Sequence, residues 1–188
     1  MAQFAVFAAD IPRDGLAYGL YFAGGWRVIL FLDYDGVLHP DPCTEARRLF
    51  ENAPRLARVL DGFAGVGVVL STSWRTVRSE QQLLDPLPES LRQRVLGMTP
   101  RCSDFTPPKE LLPYRRHAEC VQWLREHGMA ACPWWALDDR VEWFQPYCEN
   151  LIACNSRIGL DERVAARLDS ALTVARERIS SDIDLMLA

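Results

Sequence analysis

Three sets of residues in this chain have the types and spacing to do chemistry on an anionic oxygen. Asp33 and Asp35 flank Tyr34 and are followed at once by Gly36; Ser71, Thr72 and Ser73 run together; Asp138 and Asp139 are adjacent. Each set closes an apolar run, in ILFLDYDG, VVLSTSWR and WWALDDR. Residues two apart on an extended chain point to the same side, so Asp33 and Asp35 are expected to project their carboxylates into one crevice. Two like charges there call for a cation. Hard oxygen ligands on sparse side chains, with room left for water and a substrate phosphate, suit Mg²⁺. Gly36 lets the backbone turn sharply directly after the pair. The hydroxyls and N–H groups of Ser71 to Ser73 suit an anionic oxygen, and equally suit a helix cap. Asp138 and Asp139 read as a metal ligand with its partner, or as a capping pair bridged to Arg140.

D-x-D also opens the calcium loop of helix-loop-helix proteins, and counting excludes it. With Asp33 at position one, position six is Leu38 where that loop needs Gly, and position twelve is Thr44 where it needs Glu.

The elements that must position these residues follow from the apolar pattern. Residues 27–33 hold a run of five apolar residues bounded by charge, as expected of a strand buried on both faces. Residues 66–70, 134–137 and 150–154 read as further strands. Leu49, Ala53, Leu56, Ala57 and Leu60 fall at helical spacing and predict a helix over 47–60, with Gly62 as its stop. A second helix is expected over 116–127 ahead of Gly128, a short one around 89–94, and an amphipathic one over 161–176 with Asp161 as N-cap. The rest of 76–113, broken by Pro100, Pro107, Pro108 and Pro113, reads as loop. Residues 1–26 carry no clear period and read as an N-terminal extension, with an added hairpin, a docking arm or a mis-set start codon all fitting; the closing SSDIDLMLA reads as a frayed or docked tail. Residues 27–188 then form a single domain. The alternation is that of a doubly wound α/β sheet, in which ligands bind outside the carboxyl ends of the strands where strand order reverses.

Composition bounds the classes. The 188 residues suit one domain, and 49% hydrophobic content excludes disorder of the whole. A formal charge of -4 leaves no overall positive field to attract nucleic acid, though a local basic site remains open. Lys109 is the one lysine among 21 basic residues, so cations here are almost all planar guanidinium groups suited to phosphate. The six cysteines form no CxxC pair and no zinc-site spacing, and the longest apolar run, residues 17–26, is too short to cross a bilayer. Free thiols and a reducing cytoplasm are the expectation.

ILFLDYDGVLHP resembles the first motif of the haloacid dehalogenase (HAD) superfamily of phosphohydrolases, an apolar strand followed by D-x-D-G-x-L. VVLSTSWR resembles the second motif, and ALDD the fourth. Arg116, at the head of RRHAECVQWLREHG, best fits the single cation of the third motif; Arg115 and Lys109 are the neighbouring candidates. The STSWR string together with R-x-x-E-x-x-x-W-L ahead of ALDD is similar to the small phosphatase-like domains of RNA-repair enzymes. The resemblance covers roughly residues 27–154.

This resemblance implies a three-layer Rossmann-like parallel sheet with helices on both faces, capless or with only a small insertion between Arg75 and Arg115. It implies that Asp33 attacks phosphorus and becomes an aspartyl-phosphate, and that Asp35 serves as acid and then base. It further implies that Thr72, or Ser71, binds a phosphoryl oxygen with Arg116, and that Mg²⁺ is held by Asp33, the backbone carbonyl of Asp35 and Asp138 or Asp139. An open crevice favours a large substrate, a nucleic-acid 3′-phosphate end or a phosphoprotein, with Trp74 placed to stack on a base and Trp134, Trp135 and Trp143 near in sequence. Core packing is the competing role for each Trp, and His39 reads as a loop histidine beside the crevice. The alternatives are a small-metabolite or nucleotide phosphatase, and a non-catalytic binding module. Asp35, which a module without turnover would not need, favours an enzyme.

Overall fold

The computed structural model describes residues 28–187, and the readings made for residues 1–27 lie outside them. Five parallel strands form one sheet: β1 (Val28–Leu32), β2 (Val66–Leu70), β3 (Val95–Met98), β4 (Trp134–Asp138) and β5 (Leu151–Ala153), in the order β3-β2-β1-β4-β5. The chain winds outward from β1 to β3 and then returns to the other side of β1 with β4. The reversal point therefore lies between the carboxyl ends of β1 and β4. There Leu32 pairs with Leu137, and the Asp33 N–H donates to the Leu137 carbonyl at 3.1 Å.

Alternation along the central strand divides the core into two layers. Val28, Leu30 and Leu32 face helices α1 (Ala53–Asp61), α2 (Glu80–Leu84), α3 (Glu89–Arg92) and α5 (Glu162–Leu187), whereas Ile29 and Phe31 face α4 (Arg115–Glu126). The period of two carries on past the strand ends, so Asp33 follows Phe31 and Asp138 follows Ala136 toward the α4 side. On α4 itself Arg116, Glu119, Cys120, Trp123 and Leu124 are buried, a stripe at three- and four-residue spacing. Trp123 meets Phe31 edge-on at 5.9 Å between ring centroids. The stripe thus anchors α4 on the sheet and delivers its first-turn arginine to the rim where the aspartates lie.

The fold departs from the sequence reading at β3, at the start of α1 and in the closing segment, and α2 also lies in a stretch read as loop. Residues 95–98, read as loop, form the half-buried edge strand β3; Gly97 and a register shift beside Val68 and Val69 make it short and irregular, which hides it from a periodicity reading. The helix expected over 47–60 begins only at Ala53. Pro54 lacks an N–H and fits a helix only in its first turn, so the chain ahead of it forms a 3-10 turn at Ala46–Arg48 and places Phe50 at φ 59°. The final tail is no frayed end: α5 runs through Leu187, past the 176 expected, with Asp161 Oδ1 accepting from the Val164 N–H at 2.8 Å as its cap.

Among the described residues no separate cap domain interrupts the sheet; 76–114 contribute α2, α3, β3 and two 3-10 turns. No helix among them is long and apolar enough to cross a membrane. Cys43, Cys102, Cys120, Cys148 and Cys154 are free thiols, and Cys120, Cys132 and Cys154 are buried.

Candidate active site

Asp33, Asp138 and Asp139 come together at the reversal point, each offering a carboxylate oxygen within 4.8 Å of the others. Asp33 and Asp138 are buried and Asp139 is half-buried. Burial pushes Asp33 above the usual carboxylate range, opposed by Arg116, by the Tyr34 N–H that donates to its Oδ1 at 2.7 Å and by the Thr72 hydroxyl; the Asp35 charge adds to the rise. Burial, with the Asp33 charge behind it, pushes Asp138 up to about 8 and Asp139 up to about 6. Burial thus opposes ionising all three carboxylates together in the absence of a cation.

Gly36 explains how three carboxylates approach so closely. Its φ is 67°, and a Cβ there would collide with the Asp139 side chain. The glycine of D-x-D-G is thus needed twice, for the left-handed turn and for the space that Asp139 occupies.

Arg116 is the internal counter-ion. It is 2% exposed, and its guanidinium lies 3.5 Å from Asp33, 3.2 Å from Asp138 and 3.2 Å from Glu119. Burial opposes its charge, yet Asp33, Asp138 and Glu119 together raise its pKa. Its approach to Asp138 is close enough for an ion pair but misaligned for a hydrogen bond, so the fully buried Asp138 Oδ2 has no hydrogen-bond partner among the described residues. An orphaned, buried carboxylate oxygen inside a set of hard oxygen donors fits a divalent cation such as Mg²⁺.

Asp35 does not join this cluster, contrary to the expectation that it shares a crevice point with Asp33. The backbone turns at Gly36, and the Asp35 carboxylate instead accepts from Trp74 Nε1–H at 2.8 Å and lies 3.1 Å from His39 Nε2. His39 is no surface-loop residue: it is 1% exposed and packs with Phe50 and Trp74. Trp74, half-buried, closes the same aromatic group, with Tyr34 and Phe50 edge-on to it. Its indole N–H is engaged with Asp35 and its ring with these neighbours.

Of the two hydroxyls read from VVLSTSWR, Thr72 reaches Asp33 and also accepts from the Trp74 N–H at 3.3 Å, so it is both cap and site residue. Ser71 Oγ is buried without a hydrogen-bond partner among the described residues. Of the three cation candidates, Arg116 alone meets the carboxylates. Arg115 turns outward onto the Trp143 ring at 3.4 Å, and Lys109 is exposed in a 3-10 turn. The capping reading of Asp138 also holds in part, since its Oδ1 accepts from the Arg140 N–H at 2.8 Å, while the Arg140 side chain pairs with Glu142.

Two structural partners were quoted in the sequence strings without a role. Glu119 sits between Arg116 and Arg75, 2.6 Å from the latter, and Arg75 donates to the Thr72 and Thr99 carbonyls at 2.6 and 3.1 Å. This buried chain of charges ties the ends of β2 and β3 to α4. A signal was present: Glu119 falls on the apolar stripe of α4, where an unpaired carboxylate would be costly.

The family described as the HAD domain in Swiss Army Knife RNA repair proteins matches residues 29–165. No curated protein and no solved structure matches the chain. A parallel sheet wound outward from β1, an acidic cluster at its reversal point and a family match spanning β1 to the first turn of α5 agree: the chain belongs to the HAD domains of the Swiss Army Knife RNA repair family, of the HAD phosphohydrolase type.

Proposed function

We propose that this protein is a Mg²⁺-dependent phosphomonoester hydrolase that works through an aspartyl-phosphate on Asp33, with a nucleic-acid 3′-phosphate end as its substrate. The observation that carries the reading is the position of Asp33, buried between Arg116, Thr72 and the carboxylates of Asp138 and Asp139.

A phosphoryl group entering the crevice meets Asp33 as nucleophile. The Asp33 oxygen forms a bond to phosphorus while the ester P–O bond breaks, and Asp35 gives its proton to the leaving oxygen. Water then attacks phosphorus, Asp35 takes its proton, and the Asp33–phosphate bond breaks to release inorganic phosphate. Arg116 and Thr72 face the nucleophile from the protein side and are placed to bind phosphoryl oxygens as charge shifts onto them. Asp33, Asp138 and Asp139, with the Asp35 carbonyl, would hold Mg²⁺, which when bound neutralises charge on the transferring group. The indole of Trp74 can only donate, so it reserves Asp35 Oδ2 as an acceptor and leaves the acid proton to Oδ1, beside His39.

The RNA-repair description of the matching family and the absence of a cap domain among the described residues both favour a strand end over a small metabolite. The test is phosphate release with and without Mg²⁺ by wild type and Asp33→Asn, on p-nitrophenyl phosphate and a 3′-phosphorylated oligonucleotide. Metal-dependent release lost in Asp33→Asn supports the reading. Equal release by both proteins contradicts it.

A further inference from the structure

On the α4 side of the crevice, three arginines gather around one indole. The Trp143 ring lies 3.4 Å from the Arg115 guanidinium carbon, 4.2 Å from that of Arg140 and 5.3 Å from that of Arg116. Arg116 is in turn 3.5 Å from Asp33. Trp143 thus forms the wall directly behind the residue that faces the nucleophile, and Arg115 and Arg140 lie along that wall toward solvent.

The three charges are not equivalent. Arg116 is committed to Asp33, Asp138 and Glu119. Arg140 pairs through Nε with Glu142 at 2.7 Å. Arg115 is exposed, and among the described residues no carboxylate lies within ion-pair distance of it. A guanidinium laid on an indole gains from the ring's quadrupole and keeps its N–H edge free for a planar or tetrahedral anion. The loop that carries Trp143 is pinned by Gln145 Nε2, which donates to the Glu110 carbonyl at 3.2 Å, and it presents Tyr147 fully exposed at φ 60°. In a chain of charge -4, an exposed guanidinium outside ion-pair distance of any carboxylate among the described residues, laid on an indole that also touches Arg116, forms a local anion platform.

We propose that the Arg115–Trp143–Arg140 stack is a substrate subsite that holds the phosphodiester next to the scissile phosphate, so that the enzyme prefers a nucleotide chain to an isolated phosphomonoester. This rests on the phosphohydrolase reading above and adds the residues that recognise the nucleotide chain. The neighbouring phosphodiester takes the N–H edge of Arg115, with Arg140 beside it. Aromatic surface on the same loop remains for an unstacked base.

Two measurements test it. The first is anisotropy of a labelled single-stranded RNA hexamer bearing a 3′-phosphate, titrated with wild type, Arg115→Ala and Arg140→Ala at two salt concentrations. Binding is expected to weaken about tenfold in Arg115→Ala, with the slope of log affinity against log salt reduced by about one. The second is the ratio of kcat/KM on that hexamer to kcat/KM on p-nitrophenyl phosphate, expected to fall about tenfold in the same variant and less in Arg140→Ala. Unchanged binding and an unchanged ratio in both variants overturn the subsite while leaving the phosphohydrolase in place. A phosphoserine peptide turned over in preference to the hexamer overturns the nucleotide class. Loss of Mg²⁺-dependent turnover on every substrate, with hexamer binding still sensitive to Arg115, would instead overturn the catalytic reading and keep the subsite.

Discussion

Trp74 Nε1–H donates to Asp35 Oδ2 at 2.8 Å, and with His39 on Oδ1 it engages the Asp35 side chain outside the carboxylate group of Asp33, Asp138 and Asp139. On the proposed reading it separates two tasks, gathering carboxylates for a cation and setting another carboxyl aside for proton exchange. Trp74→Phe keeps the ring in its aromatic cluster and removes the donor. A general acid matters most when the leaving oxygen is strongly basic. Turnover of an alkyl phosphate is therefore expected to fall by about tenfold more than turnover of p-nitrophenyl phosphate, the equivalent of one charge-assisted hydrogen bond. Equal losses on both substrates would assign Trp74 a packing role alone.

The metal-free protein should lose stability as pH rises. Asp138, at about 8, and Asp139, at about 6, are both raised above their unfolded values near 4 by burial and by Asp33. A carboxyl raised on folding contributes stability that is full below its unfolded pKa and disappears as pH climbs through its folded one. In chelator the Tm is thus expected to be lower at about pH 8 than at about pH 6, and added Mg²⁺ should raise Tm more at the higher pH. A metal-free Tm that climbs over this interval would contradict the assignment.

Gly36→Ala tests the close approach of Asp139. The added methyl meets the Asp139 carboxylate and the backbone at φ 67° disfavours a side chain, so a loss of about 1–3 kcal/mol is expected. Because Asp139 must move, the Mg²⁺ concentration needed for half-maximal thermal stabilisation should rise as well. Unaltered Mg²⁺ dependence would remove Asp139 from the donor set.

Glu119→Gln leaves Arg75 and Arg116 buried with one fewer counter-charge. Breaking a buried pair in this way costs about 3–5 kcal/mol, to be read as a lowered midpoint in urea unfolding. A cost below about 1 kcal/mol would show that the arginines find other partners.

Much of this was legible in the residues. The strands at 28–32, 66–70, 134–138 and 151–153 are short apolar runs that stop on polar residues, and their alternation with helices dictates a parallel sheet. The polar stops then mark the carboxyl rim, so Asp33, Asp138, Asp139 and the pair Ser71 and Thr72 stand out as candidates by position, while the choice between the two hydroxyls does not. What stayed hidden depended on long-range packing. β3 is an edge strand with Gly97 inside it and too little apolar pattern to stand out. The direction of Asp35 follows from Trp74, whose ring is fixed by Phe50 and Tyr34, and Phe50 sits there because Pro54 delays α1. His39 is buried by the same group.

The central claim is that Asp33 becomes covalently phosphorylated. Wild type quenched during turnover of p-nitrophenyl phosphate with Mg²⁺ can be treated with borohydride, which reduces an aspartyl-phosphate to homoserine, and the peptide containing Asp33 then read by mass spectrometry. Homoserine at position 33, dependent on substrate and Mg²⁺ and lost when either is withheld, is the predicted result. Phosphate release with Asp33 unmodified, or with the label on another residue, would contradict the account.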